Sequence, residues 1–264
     1  MNILFIGDIF SKPGRKAIAT ELPKFLKKHK VDFVISNAEN CTHGRSLNIK
    51  HYNHLKLCGV NCFTFGNHTW ENDQIEDILK QEDTVRPINL KEKSYLNKMG
   101  VGSRTFKINK KIVRVTNVMG LSANAKGVQS NPFLFIDQFL PTVKNKQDIH
   151  IVDFHTNSTS EKIAFFTAYK GMVSAILGTH THVQTADEEI RDDTAFITDV
   201  GMTGPSQGII GCEPKTILQM YREEVLHFKL DPSNSKYQFN AVLLSFNNKT
   251  NKPTKIDRIF IREK

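Results

Sequence analysis

Seven residues of types that bind cations stand in five short loops. Asp8 follows Gly7, and Glu39 and Asn40 close the run Asn37-Ala38-Glu39-Asn40. Asn67 lies in Gly66-Asn67-His68, and His155 ends Phe154-His155. His180 and His182 lie in Gly178-Thr179-His180-Thr181-His182. Asp8 and Glu39 offer anionic oxygens, and one carboxylate can bridge two cations. Asn40 and Asn67 offer neutral carbonyl oxygens, and the histidines offer imidazole nitrogens. An oxygen and nitrogen set without thiolate suits iron, manganese or zinc better than calcium or magnesium. Seven ligands are too many for one tetrahedral site; they suit two metals sharing a bridge, with room for water and substrate. Each fragment alone reads equally well as a turn, cap or loop residue. Their joint occurrence, in order and each at a strand end, carries the metal reading.

Those loops need elements to hold them. Asn2–Gly7 is a short apolar run before an acid and predicts a buried strand. Phe33–Ser36, Cys62–Phe65, Ile149–Phe154 and Ala175–Leu177 predict others. Each runs into one of the loops above. Open α/β sheets build sites beyond the carboxyl ends of their strands, so the five loops can converge there. Pro13 to His29 carries Ala17, Ile18, Leu22, Phe25 and Leu26 at helical spacing, with Pro13 fitting a helix start. Asn48–Cys58, Glu71–Lys80, Asn131–Leu140 and Ser158–Lys170 also read as helices, the last capped by Ser158 or Ser160. Thr105–Val118 is β-rich around a turn at Asn109-Lys110, and Ala195–Thr198 is a further strand. Beyond Gly211 strands are expected at Val225–Leu230, Phe239–Phe246 and Ile256–Ile261, with Asp231–Lys236 a polar turn. No internal repeat, low-complexity tract or linker interrupts the chain. Residues 1–264 therefore read as a single domain, α/β units first and antiparallel strands closing the sheets.

Composition bounds the function. Hydrophobic residues are 39% and charged residues 24% of 264, which excludes a disordered chain and a membrane-embedded one. No apolar run approaches the roughly 20 residues a membrane helix needs. The N-terminal run meets an acid at once and lacks the pattern of a signal peptide, so a cytoplasmic protein is expected. The four cysteines, Cys41, Cys58, Cys62 and Cys212, have no CxxC spacing and read as reduced, with Cys58 and Cys62 small buried hydrophobes rather than a metal pair. Lysine and arginine number 36 against 27 acids, a net charge of +9. That balance suits an anionic partner, but the basic residues are scattered and no aromatic-interleaved stretch marks a nucleic-acid surface. A small-molecule partner is expected, with no stable nucleic-acid complex and no membrane.

The ordered motifs resemble the calcineurin-like metallophosphoesterases, with two departures. Phe10 stands where a histidine ligand is usual, and Glu39-Asn40 where an aspartate is usual. Both departures are shared by the YmdB-like phosphodiesterases, which the chain resembles over nearly its whole length. The resemblance extends through Pro13-Gly14-Arg15, Gly66-Asn67-His68-Thr69-Trp70, Arg86-Pro87-Ile88-Asn89 and Thr159-Ser160-Glu161-Lys162, to Thr198-Asp199-Val200-Gly201-Met202-Thr203-Gly204. Thr156-Asn157 departs from the small residue and acid usual there. The resemblance implies an α/β sandwich, two mixed sheets face to face with helices outside, and a homo-oligomer. It implies one metal on Asp8, Glu39, Asn40 and His182, and another on Glu39, Asn67, His155 and His180. Iron is the first choice and manganese the next. It further implies hydrolysis of small cyclic nucleotides, 2′,3′-cyclic ones above all, by a metal-bridging hydroxide with His68 as general acid. A nuclease or phosphomonoesterase using the same metals, or a slow metal- and nucleotide-binding regulator, are the alternatives. His43 and Arg45 are candidate substrate contacts, and Asp199 a candidate orienter of a ligand histidine. His29, His51, His54, His150 and His227 read as ordinary core or surface residues, and Asp187-Glu188-Glu189 as a solvated acidic turn.

Overall fold

A computed structural model describes residues 1–123, 127–223 and 231–264. The first part of the chain forms β1 (Asn2–Ile6), β2 (Asp8–Ile9), α1 (Ser11–Lys28), β3 (Phe33–Asn37), α2 (Ile49–Cys58), β4 (Cys62–Thr64), α3 (Ile75–Leu79) and β5 (Thr84–Val85). The middle forms β6 (Ser103–Ile108), β7 (Lys111–Met119), α4 (Pro132–Val143), β8 (Ile149–His155), α5 (Thr159–Tyr169) and β9 (Ala175–Thr179). The last part forms β10 (Glu189–Arg191), β11 (Thr194–Ile197), β12 (Met202–Pro205), α6 (Pro214–Arg222), β13 (Tyr237–Phe246) and β14 (Pro253–Arg262).

One sheet has eight strands, ordered β2-β12-β13-β1-β3-β4-β5 with β14 on β13; the other has six, ordered β10-β11-β9-β8-β7-β6. Both are mixed. β1, β3, β4 and β5 run parallel, as do β7, β8, β9 and β11. β13, β14, β6 and β10 pair antiparallel.

The two-residue period of a strand sends alternate side chains to opposite faces. Ile3 and Phe5 of β1 therefore pack inward with Phe33 and Ile35 against Val113, Val115, Ile149 and Ile151 of the facing sheet. Leu4 and Ile6 face outward onto Ala17, Ile18 and Leu22 of α1 and Leu55 of α2. On the other sheet Val152 and Phe154 face outward onto Phe165 and Phe166 of α5 and Ile136 of α4. Fully burying each such side chain contributes about 1.5–3 kcal/mol. The layers are helices, sheet, sheet, helices: the expected α/β sandwich.

Several local expectations need correction. Only Ile75–Leu79 of the predicted Glu71–Lys80 helix is helical. Asn72 Oδ1 accepts from Gln74 N at 3.0 Å, and Glu71 is held by His68 and Arg45, so the first half is a turn. Helix α4 continues past Leu140 to Val143, started by Asn131 accepting from Phe133 N and Leu134 N. Asp187-Glu188-Glu189 is not a free turn, although Asp187 is exposed. Asp187 accepts from the Thr198 backbone and hydroxyl, Glu188 pairs with Arg258 at 2.7 Å, and Glu189 begins β10. Cys58 is half-buried rather than buried. The predicted strand Val225–Leu230 and His227 lie outside the described residues. Ser158 is the cap of α5, and Asn109 and Lys110 form the tight turn between β6 and β7. No helix among the described residues is long and apolar enough to cross a membrane.

Candidate metal centre

The carboxyl ends of β1, β3 and β4 in one sheet and of β8 and β9 in the other open onto the same edge. Asn37 at the end of β3 joins them, its Nδ2 donating across the sandwich to Asp153 Oδ2 at 3.0 Å. All seven sequence-predicted ligands lie at this edge: Glu39, Asn67, His155 and His180 in mutual contact, Asn40 against His182, and Asp8 beside His180 and His155.

His155 Nε2 lies 2.9 Å from Glu39 Oε1, 3.0 Å from Asn67 Oδ1 and 2.9 Å from His180 Nδ1. Glu39, His155 and His180 can present ligand atoms all within 4.8 Å of one another. A relay fixes the His155 ring. Its Nδ1 lies 2.8 Å from Thr179 Oγ1, whose own proton goes to Asp153 Oδ1 at 2.6 Å. Nδ1 is thus the donor and Nε2 points at the cluster. Asp153 and Thr179 are buried, and neither stands out in the sequence, because their partners are distant in the chain.

Asn40 Oδ1 faces His182 Nε2 at 3.3 Å. The Asn40 amide is oriented by Nδ2 donating to Gly44 O at 3.0 Å, and His182 Nδ1 donates to Ile210 O at 2.8 Å. Burial keeps His182 neutral by lowering its pKa. Both facing atoms are then acceptors with no proton to share. Asp8 Oδ1 is buried and has no hydrogen-bond partner among the described residues, while Oδ2 accepts from His180 N at 3.0 Å. Opposed lone pairs and an orphaned buried carboxylate oxygen are costly unless a cation sits between them. The donor set therefore fits metal ions.

The electrostatics agree. Burial raises Asp8 well above the usual carboxylate range, although the nearby His155 pulls the other way. Burial would push Glu39 up and His155 down, but their contact outweighs it. Glu39 is held well below its ordinary value and His155 is lifted to about 9. Burial, then the neighbouring His155, lowers His180 to about 3. A metal on His155 must replace the proton on Nε2.

The backbone is shaped around this cluster. A Cβ on Gly66 would lie 2.3 Å from His155 Nε2 and 2.4 Å from Glu39 Oε2, so only glycine leaves the cradle open. His180 and His182 have φ of 100° and 67°. Such strain in non-glycine residues persists where the surroundings enforce it. Here Asp199 does, but not as expected. Among the described residues it makes no side-chain hydrogen bond to His155, His180 or His182; its Oδ2 accepts from Thr181 N at 3.0 Å and Thr181 Oγ1 at 2.7 Å, pinning the loop between His180 and His182, and its Oδ1 accepts from Gly201 N at 2.8 Å. Buried Lys162 neutralises it at 2.6 Å. That partner was hidden in the sequence because a fully buried lysine is rare.

His68 sits at the rim. Its backbone N donates to Glu39 Oε2 at 2.9 Å, and its Nδ1 lies 3.0 Å from Glu71 Oε1. Arg45 Nη1 reaches Glu71 Oε2 at 3.0 Å. Phe10 approaches His182 edge-on, ring centroids 5.4 Å apart, and supplies no ligand atom. Thr156 is buried and donates to Glu161 Oε2 at 2.6 Å, so the Thr156-Asn157 departure anchors the loop after His155. The cavity over the cluster has a volume of about 370 Å³ and is lined by Glu39, Asn40, His43, Arg45, His68, His180 and His182 among others. Cavities of roughly 300–1,000 Å³ take small molecules.

Comparison with known proteins agrees with this geometry. A Mycoplasma genitalium protein is 40% identical over 264 residues, covering 99% of this chain and 93% of the relative. The 2′,3′-cyclic-nucleotide 2′-phosphodiesterase of Bacillus subtilis is 37% identical over 265 residues, covering 100% of this chain and 98% of the relative. The crystal structure of a novel phosphatase from Mycoplasma pneumoniae superposes with a TM-score of 0.95 at 38% identity, covering 99% of this chain and 93% of that one. The YmdB-like protein family model matches residues 4–259. The chain belongs to the YmdB-like protein family, within the calcineurin-like metallophosphoesterases.

Proposed function

We propose that this chain is a two-metal phosphodiesterase acting on small cyclic nucleotides, 2′,3′-cyclic nucleotides first among them. The observation that supports it is the Glu39, His155 and His180 cluster, with the opposed Asn40 and His182 acceptors and the unpartnered Asp8 oxygen at the same sheet edge. Asp8, Glu39, Asn40 and His182 would hold one ion, and Glu39, Asn67, His155 and His180 the other, with iron the first choice and manganese the next. When bound, such ions neutralise phosphate oxygens and lower the pKa of water. The activity printed for the Bacillus subtilis relative supports the substrate class. The reading treats residues 1–264 as one domain.

The chain's own residues supply the rest. His68 stands beside the clusters with Nδ1 held by Glu71, which leaves Nε2 for the substrate. It donates a proton to the ribose oxygen as one P–O bond of the ring breaks, and water adds to phosphorus. The product is a nucleoside monophosphate. Arg45, tethered to the same Glu71, adds positive charge at the cavity wall. Hydrolysis of 2′,3′-cyclic AMP by metal-loaded protein tests the proposal. His68→Ala should lower kcat about 10²–10⁴-fold with metal content retained. Wild-type turnover in that variant would remove His68 from the chemistry. No turnover of any diester by the loaded wild type would end the proposal.

A further inference from the structure

A turn at the wall of the cavity is built from a residue ill suited to its shape. Ile209 N donates to Cys212 O at 2.9 Å, and Cys212 N donates to Ile209 O at 3.0 Å. Ile210 and Gly211 are thus the central pair of a two-residue hairpin, and both have positive φ, 46° and 97°. Such turns favour Asn-Gly, because those residues tolerate left-handed backbone. Gly211 conforms, and a Cβ there would come within 2.9 Å of Met202 and Phe10. Ile210 does not, since a β-branched residue at positive φ is a strained outlier.

Nothing else in the turn calls for an isoleucine. The carbonyl that accepts from His182 Nδ1 at 2.8 Å is main chain, which any residue supplies. Packing does not require it either. Ile209 and Cys212 join the cluster around Phe10, Met202 and Ile217, whereas the Ile210 side chain is 52% exposed. Ile210 does line the cavity over the candidate metal ligands, together with Phe10, Cys212 and Pro232. These form an apolar part of a wall that elsewhere carries His43, Arg45 and His68. A phosphate has no use for an apolar wall, but the flat face of a nucleobase does.

We infer that Ile210 is a specificity-determining residue: its side chain packs on the base of a nucleotide diester, and the turn tolerates strain to place it there. This rests on the phosphodiesterase reading above and narrows its substrates to diesters that carry a planar base. Ile210→Asn tests it in the metal-loaded full chain, because asparagine suits the turn and keeps the carbonyl on His182. The substrates are 2′,3′-cyclic AMP and glycerol 1,2-cyclic phosphate, which has the same strained ring without a base. The expected result is a higher melting temperature with wild-type metal content. Selectivity for cyclic AMP over the base-free ester falls about tenfold, through KM rather than kcat. Ile210→Val restores the selectivity. An unchanged ratio, or equal weakening of both substrates, overturns the inference. Wild-type protein that cleaves neither ester overturns the phosphodiesterase reading itself, a separate result.

Discussion

Replacing Thr179 by valine tests how the cluster is held. The two side chains have nearly the same shape, and Thr179 is buried in β9, where a branched side chain fits. The change removes one hydroxyl with two jobs: accepting from His155 Nδ1 at 2.8 Å and donating to Asp153 Oδ1 at 2.6 Å. Two buried polar groups lose a partner, at about 1–3 kcal/mol each. Stability should fall by about 2–6 kcal/mol, a drop of roughly 4–24 °C in Tm at about 2–4 °C per kcal/mol. The more specific effect is on metal. Without the relay the His155 ring is free to choose the other tautomer or rotate, and partners of this kind are worth about 10–100-fold in metal affinity. That corresponds to about 1.4–2.7 kcal/mol. Chelator competition measures the affinity, and activity against metal concentration shows whether saturating metal restores turnover. Thr179→Ser keeps the hydroxyl and should bind metal like the wild type. A valine variant with wild-type metal affinity would refute the relay. Equal losses in the serine and valine variants would reduce Thr179 to a packing residue.

Two further outcomes follow from buried charge. Burial, reinforced by Arg114, holds His150 down to about 3, against about 6.5 in an unfolded chain. Its stabilising contribution is whole above pH 6.5 and is lost as pH falls toward 3, because only the unfolded state takes up the proton. Urea unfolding of His150→Gln should therefore lose stability with falling pH less steeply than wild type, by up to about 1.4 kcal/mol per pH unit; parallel curves would contradict this. Lys162→Met strips buried Asp199 of its only ion-pair partner among the described residues. It should cost about 3–5 kcal/mol in urea unfolding, and a loss under about 1 kcal/mol would show that the hydrogen bonds to Thr181 and Gly201 suffice.

The outline of this molecule is legible in short patterns. Strands β1, β3, β4, β8 and β9 are brief apolar runs, and each ends at or within three residues of a candidate ligand, so local sequence placed the candidates near strand ends. What local sequence hides is pairing across the chain. Asp153 meets Asn37 across 116 residues and Lys162 meets Asp199 across 37. Asp199 therefore looked like an orienter of histidine when it is an anchor for Thr181. The acidic run at Asp187 looked solvated because its partners, Thr198 and Arg258, lie on other strands. Glu71 looked helical because its ties to His68 and Arg45 compete with helix formation and cannot be read from propensity. Ile210 carried no signal at all, since positive φ at an isoleucine is visible only in the folded backbone.

The most direct test of a shared two-metal site is the number of metal ions per chain, read by elemental analysis after iron or manganese is supplied. Wild-type protein should hold about two, and Glu39→Ala, which removes the carboxylate proposed to bridge them, should lose metal and diester hydrolysis together. Wild-type protein that holds fewer than one ion per chain and cleaves no diester would contradict the two-metal centre.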